Sequence, residues 1–402
     1  MMDKTTIVNE YLGDIKFYGQ LVGMWPDQKR FAKYSMRIII FVIITLTNVA
    51  QTSRIVVYYS LDNLTDQMPF LLLGLTTLLK EFNYVLNEEK LRVLLNGIVS
   101  DWLTERPKEE LEILKAYSKK ALIFAFIYKA SIWFSVFMFL LLPALPPILD
   151  IVAPLNASRE RILVYPSYYF VDEQEYYYPI LAHMVFSAFI LAYVFIACDL
   201  NLIHIVQHAC ALLTISGYRF KHAMDEADFY ERKYNGTRTV DKTYAKVVQS
   251  IDAHKKATEY VKKVEACHVH YFLLLVGIII MVFTVTFVKL ASVEMGSTYL
   301  TFSAFTLSQT IHLLFLTIMG QCVIDSHEET FQKIYEAQWH NGSAKAQSLY
   351  VLVLRQCLNA RKLTGGGMIT LDLNSFVQVS HSILRNRPRE ASQSNDRTVF
   401  RF

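Results

Sequence analysis

Two clusters of potential metal ligands are the first chemistry the sequence offers. His204 and His208 stand one helical turn apart with Asp199 and Cys210 close in sequence, and Cys267, His268 and His270 follow further along. An i, i+4 histidine pair is a spacing that zinc sites use, but the residues between lack the glutamate of a metalloprotease helix. The pattern reads instead as buried, hydrogen-bonded histidines where helices pack. His327, Glu328 and Glu329 read as one helix face. Gly365-Gly366-Gly367 is followed by no lysine-serine pair and no dinucleotide spacing, and no nucleophile elbow or kinase signature occurs. The chain is therefore expected not to be an enzyme, and no metal, cofactor or nucleic acid is expected.

The remaining polar oddities sit inside apolar stretches. Asn48, Gln51 and Arg54 form a stripe at i, i+3, i+6, which should face a bundle interior or water and not lipid. Lys129 interrupts another apolar stretch and is expected to snorkel towards the cytoplasmic end. The three glycines forfeit helix stability, so the run from about 348 to 385 reads as two apolar helices broken at Lys362–Gly367.

These groups must be positioned by membrane helices. Of 402 residues, 53% are hydrophobic and 19% charged, below the roughly one quarter charged that is usual in soluble chains. Apolar stretches near the ~20 residues needed to cross a bilayer run over about 36–59, 68–86, 120–142, 179–203, 269–290 and 298–320. The broken pair makes a seventh. Residues 5–22 read as a short amphipathic helix ended at Trp25-Pro26. The fourth and fifth spans are expected to extend helically into the cytoplasm around a loop at residues 235–239. The five cysteines show no paired spacing, so no disulfide framework is expected, and the first residues lack the apolar core of a signal peptide.

Lysine and arginine set the orientation. The connection between spans two and three holds seven basic residues, and Tyr218–Lys263 holds eleven, whereas residues 60–67 hold none. The N-terminus and the long basic loops are thus expected inside. Of the glycosylation acceptors, Asn63 and Asn156 fall outside, while Asn235 and Asn341 fall inside and should stay bare.

Several short motifs resemble those of the insect odorant receptors. Near the start stands Leu21-Val22-Gly23-Met24-Trp25-Pro26. Later come Ser326-His327-Glu328-Glu329 with Tyr335 and Trp339, and finally Leu363-Thr364-Gly365-Gly366-Gly367 with Leu371, Leu373 and Phe376. The similarity runs from about residue 15 to 384. It implies an all-α, seven-transmembrane helical bundle of inverted topology, one receptor domain over residues 1–402, in the plasma membrane of an olfactory neuron dendrite. The implied function is an odorant-gated, non-selective cation channel, a heterotetramer with a co-receptor subunit. The cytoplasmic ends of spans four to seven would form the anchor between subunits. The co-receptor has a much longer second large cytoplasmic loop, so this chain resembles a ligand-tuning subunit.

The family's pocket for small volatile ligands lies among spans two, three, four and six. The resemblance therefore nominates Leu73 and Thr77, then Trp133, Phe137 and Met138. Phe186, Ile190 and Tyr193 follow from span four, and Phe302, Phe305, Thr306 and Gln309 from span six. Gly365, Gly366 and Gly367 would be a hinge, and Asp372, Phe376, Val379 and Ile383 would line the pore. From Met368 to Leu384, about 16 residues at ~1.5 Å give roughly 24 Å, short of a ~30 Å hydrocarbon core. The polar tail at 386–402, with Pro388 and four arginines after Arg385, departs from the family pattern, so a non-conducting isoform is an alternative expectation. A gustatory receptor is the nearest rival family, but its Thr-Tyr and terminal Gln-Phe are absent. A G-protein-coupled receptor and an inverted-repeat transporter fit less well, by loop charge and by the lack of internal hydropathy symmetry.

Overall fold

A computed structural model describes residues 3–154, 159–224 and 238–378. The N-terminal segment forms α1 (Lys4–Tyr11) and α2 (Gly13–Leu21), and Asp3 caps the first by accepting from the Thr6 amide at 2.7 Å. The chain then reverses at Gly23, whose φ of +71° favours glycine. Long helices follow: α3 (Arg30–Val57), α4 (Leu61–Leu86), α5 (Glu88–Leu103), α6 (Lys108–Leu141), α7 (Leu145–Val152) and α8 (Tyr177–His222). The last three are α9 (Arg238–Ser292), α10 (Ser297–Glu336) and α11 (Ala344–Cys357). Five helical stretches, Arg30–Val57, Lys108–Val152, Tyr177–His222, Tyr244–Ser292 and Thr298–Glu336, are long and apolar enough to cross a membrane. The charges in α4, Lys80 and Glu81 among them, lower its apolarity.

α8 is the axis of the bundle. Every residue from Val194 to Gly217 is buried, so the polar residues among them, such as Asp199, His204 and His208, must find partners inside the protein. α3 shows the opposite design. Ile40, Ile44, Thr47 and Gln51 are buried at helical spacing, while Ile38, Ile39, Phe41, Val42 and Leu46 are exposed as a lipid-facing stripe. The polar stripe on α3 turns inward as its spacing requires. Gln51 is buried, Asn48 lies over Gly74 so closely that a β-carbon there would meet its Oδ1 at 2.0 Å, and Arg54 pairs with Glu173 at 3.1 Å.

Charged side chains tie the basic end of the bundle together. Lys33 and Arg37 reach Glu88 at 2.6 and 2.8 Å, and Arg219 grips Glu110 through Nε and Nη2 at 2.7 and 2.8 Å. Asp101, 1% exposed, takes Arg106 at 2.6 Å, His208 at 3.1 Å and Lys256. Burial pushes the Asp101 carboxyl up, but the His208 and Lys256 hydrogen bonds outweigh it and hold the pKa down at about 2. Lys129 pairs with Asp14 of α2, so the N-terminal helix supplies it with an anion.

The C-terminal run also departs from the expected broken membrane helix. Its first half, α11, has 14 residues, about 21 Å at ~1.5 Å each, and packs against the ends of α8, α9 and α10. Tyr350 is fully buried there and donates to the Phe220 carbonyl at 2.7 Å, in a cluster with Val247, Ile334 and Val353. Between α11 and the following helical turn at 373–378 lies a β-hairpin, Thr364–Gly365 paired antiparallel with Ile369–Thr370. Gly366 and Gly367 have φ of +63° and +72°, and Met368 N donates to Gly365 O at 3.1 Å, the geometry of a type I′ turn. The glycines therefore make a turn that only they fit without strain. The hairpin is docked: Gly366 N donates to Val269 O at 2.9 Å, and Thr364 Oγ1 donates to Glu265 at 2.8 Å.

Candidate functional site

Between the helices of the bundle lies an apolar cavity of about 120 Å³. Its walls come from α3 (Ile44, Thr47, Gln51), α4 (Phe70, Leu73, Gly74), α6, α8 and α10, with Val164 and Tyr165 of the α7–α8 connection. An apolar cavity of about 150 Å³ can take up benzene, so the space suits a small, largely apolar molecule. Aromatic rings set its shape. Phe70 stacks on Tyr165 at 5.7 Å and meets Phe305 edge-on at 5.5 Å, and Phe139 backs Phe305 at 6.0 Å. Burial raises the pKa of the Tyr165 phenol well above its ordinary value, so it stays protonated.

Beneath the cavity lies a buried charge cluster. Two wall residues, Phe195 and His312, belong to both. Lys80, with no exposed surface, reaches Asp199 at 2.6 Å. Its ammonium lies 4.6 Å from the Phe195 ring centroid and 5.6 Å from that of Tyr271. Asp199 also accepts from the Tyr128 hydroxyl, and His312 Nε2 lies 3.3 Å away from it. Charge is tolerated here because each ion has partners on other helices.

The candidate residues fall into three groups. Leu73, Phe305 and Gln309 line the cavity. Thr77 and Thr306 lie buried or half-buried with their hydroxyls returned to the Leu73 and Phe302 carbonyls, and Phe302 stands 6.3 Å behind Phe70. Ile190 belongs to the main core, and Trp133 and Tyr193 pack on each other at 5.5 Å beside Phe189. Phe137, Met138 and Phe186 lie on the outer surface, 59%, 38% and 55% exposed, not in the cavity. The reason is helical phase: on α6 the inward residues are Ile132, Ser135, Val136 and Phe139, and positions 137 and 138 turn away. Sequence reasoning passed over the α3 wall, although the Asn48–Arg54 stripe already marked Gln51 as inward-facing. It had no signal for Tyr165, which a connection brings in.

The other assigned residues are placed as follows. Asp372 caps the last helical turn, accepting from Ser375 N at 2.7 Å and from Thr370 Oγ1 at 3.0 Å, and Phe376 packs part-buried on the main core. Val379, Ile383, the tail at 386–402, Asn156 and Asn235 lie outside the described residues. Asn63 Nδ2 donates to the Arg54 and Tyr58 carbonyls at 3.1 and 2.9 Å. His204 and His268 each place Nδ1 2.9 Å from a carbonyl one turn back, and His208 is held by Asp101. Among the described residues no group of three His, Cys, Asp or Glu is arranged to hold a metal ion.

The family model described as 7tm Odorant receptor matches residues 60–383. A comparison with curated proteins finds no match. Among solved structures, the insect olfactory receptor OR5 from Machilis hrabei in complex with eugenol is similar, with a TM-score of 0.74 and 13% identity over 95% of this chain and 98% of that one. The structure of the same receptor described without eugenol gives 0.72 and 14% over the same shares. At such identity the likeness speaks for the fold alone. The family match covers most of the chain and carries the assignment: the chain belongs to the 7tm odorant receptor family, a multi-pass membrane receptor and not an enzyme.

Proposed function

We propose that the chain binds a small volatile ligand in the cavity between α3, α4, α6, α8 and α10, and that binding gates a non-selective cation channel. The channel would be a heterotetramer with a co-receptor subunit in the plasma membrane of an olfactory neuron, the N-terminus facing the cytoplasm. The observation that carries the reading is the aromatic-walled cavity inside a bundle whose fold matches that of a receptor described in complex with eugenol. Apolar burial at about 25 cal/mol per Å² supplies affinity for such ligands. Gating requires that the ligand bind the open arrangement better than the closed one. α10 offers a route, since it contributes Phe305, Gln309 and His312 to the cavity and, three turns on, Gly320 to the hairpin. A β-carbon on Gly320 would lie 1.7 Å from the Leu371 carbonyl oxygen, so cavity and hairpin share one rigid helix. In this reading the docked hairpin, with Gly365, Gly366 and Gly367, transmits movement of α9 and α10 to the pore helix. The test is co-expression with a co-receptor and recording of current evoked by a panel of volatiles. Cation current that is independent of G proteins and abolished by Phe305→Ala supports the reading, and current unaffected by Phe305→Ala refutes it.

A further inference from the structure

The cavity wall is not satisfied by the protein itself. Gln51 Oε1, the Tyr165 hydroxyl and His312 Nδ1 are buried without a well-formed hydrogen bond, and the three residues are only 2%, 8% and 4% exposed. Buried polar groups without partners are rare in folded proteins, and a cavity beside them has room for the missing partner. The hydroxyls nearest Tyr165, those of Thr47 and Tyr169, are both engaged elsewhere: Thr47, one turn before Gln51, donates to Ile43 O and lies 3.0 Å from Ser187 Oγ, and Tyr169 lies 2.9 Å from His183 Nδ1. Tyr168 N donates to Ala50 O at 3.0 Å, which pins the connection carrying Tyr165 beside the same turn of α3. Gln51 and Tyr165 thus come to one part of the wall, while His312 stands at the part next to Asp199.

We propose that the cavity selects small volatiles that carry a hydroxyl group, with Gln51 and Tyr165 as its specificity-determining residues. This rests on the ligand-binding reading above and narrows it to a chemical class. The amide oxygen of Gln51 requires a donor, and the Tyr165 hydroxyl has a proton to give. One ligand hydroxyl meets both needs by donating to Gln51 and accepting from Tyr165. A carbonyl serves only Tyr165, and a hydrocarbon serves neither. With the Gln51 amide oxygen and nitrogen exchanged, a hydroxyl still finds a partner at both groups and a hydrocarbon at neither, although a carbonyl would then also serve both. The rest of the wall, from Phe70 to Phe305, takes the apolar body of the molecule.

The test compares benzyl alcohol with ethylbenzene, two molecules of equal heavy-atom count, as stabilisers of the full-length chain in detergent against heat. Ligand bound to the folded state raises the melting midpoint whether or not the channel conducts. Benzyl alcohol should act at a concentration at least tenfold below that of ethylbenzene. Gln51→Met, which keeps length and removes the amide, should close that gap and leave ethylbenzene as effective as before. A merely structural Gln51 would lower the unliganded midpoint and leave the ratio between ligands intact, which overturns the proposal. Equal effects of both ligands on the native chain, as a resident water would give, or no effect of either, also overturn it. Ala188→Phe, which fills the cavity from α8, should abolish both effects. Stabilisation that survives this filling puts the ligand elsewhere and overturns the cavity reading as well.

Discussion

Removing one member of the buried Lys80–Asp199 pair should be far more damaging than removing both. Lys80 has no exposed surface and Asp199 is 5% exposed, so neither charge can recover its hydration when its partner is lost. Breaking a buried pair typically costs about 3–5 kcal/mol, whereas replacing both ions by apolar groups of similar volume is often neutral. The surroundings shade the two halves differently. In Asp199→Leu the stranded ammonium keeps the Phe195 and Tyr271 rings at 4.6 and 5.6 Å, worth about 0.5–2 kcal/mol together. In Lys80→Met the stranded carboxylate keeps the Tyr128 hydroxyl and the neighbouring His312. Each single variant should therefore lose about 3 kcal/mol, and the double variant Lys80→Met with Asp199→Leu should recover about 2 kcal/mol of the larger loss. Because heat unfolding of such proteins is commonly irreversible, the rank order of midpoints is the quantity to read. Thermal challenge of the detergent-solubilised chain, followed by loss of the monodisperse elution peak, gives that order. A double variant whose loss equals the sum of the singles would refute the reasoning, since it would mean the two ions do not act as a pair.

Alanine at Gly320 should displace the hairpin and abolish ligand-evoked current at matched surface expression, because the clash at 1.7 Å is with backbone; a wild-type response would refute this. At the turn, Gly367→Ala meets nothing within 4 Å and should cost only the about 1–2 kcal/mol of a left-handed residue, while Gly366→Ala also meets Leu273 Cδ2 at 2.8 Å and should be worse, which melting midpoints rank. A glycosylation scan should find sugar at Asn63 or Asn156 and none at Asn235 or Asn341; sugar at Asn235 would reverse the orientation. Asp101→Asn should lower the midpoint by an amount that is constant between pH 5 and 8. The folded pKa of Asp101, about 2, lies below the ordinary carboxylate value of about 3.9, so its contribution is complete above the latter and fades as pH falls through the former. A difference that grows or shrinks across pH 5 to 8 would assign the effect to another group.

The sequence was most legible where a long apolar period had one physical solution. The helical continuations of α8 and α9 beyond their apolar stretches and the inward turn of Asn48, Gln51 and Arg54 follow from periodicity and the cost of polar groups in lipid, which are properties of a single helix. The helix phase around the cavity was not legible in the same way. Phe137 and Phe186 are as aromatic as Phe139 and Phe305, yet two face outward and two face in. In a membrane bundle lipid and core are equally apolar, so composition does not separate the faces.

Loops and distant partners escaped the sequence for a related reason. Lys129 finds Asp14, and Lys80 finds Asp199, across separations that no local pattern encodes. The triple glycine announced a break by backbone freedom alone, but that freedom fits a hinge and a tight turn equally. The carbonyls and side chains of α9 and α10 decided for the turn, by accepting the Gly366 amide and leaving no room beside Gly320. The sequence by itself determined that this is a helical membrane receptor whose polar residues must turn inward, because lipid leaves a helix no alternative. Only the tertiary structure decided which of them meet at the cavity, because that depends on the rotation of each helix against its neighbours.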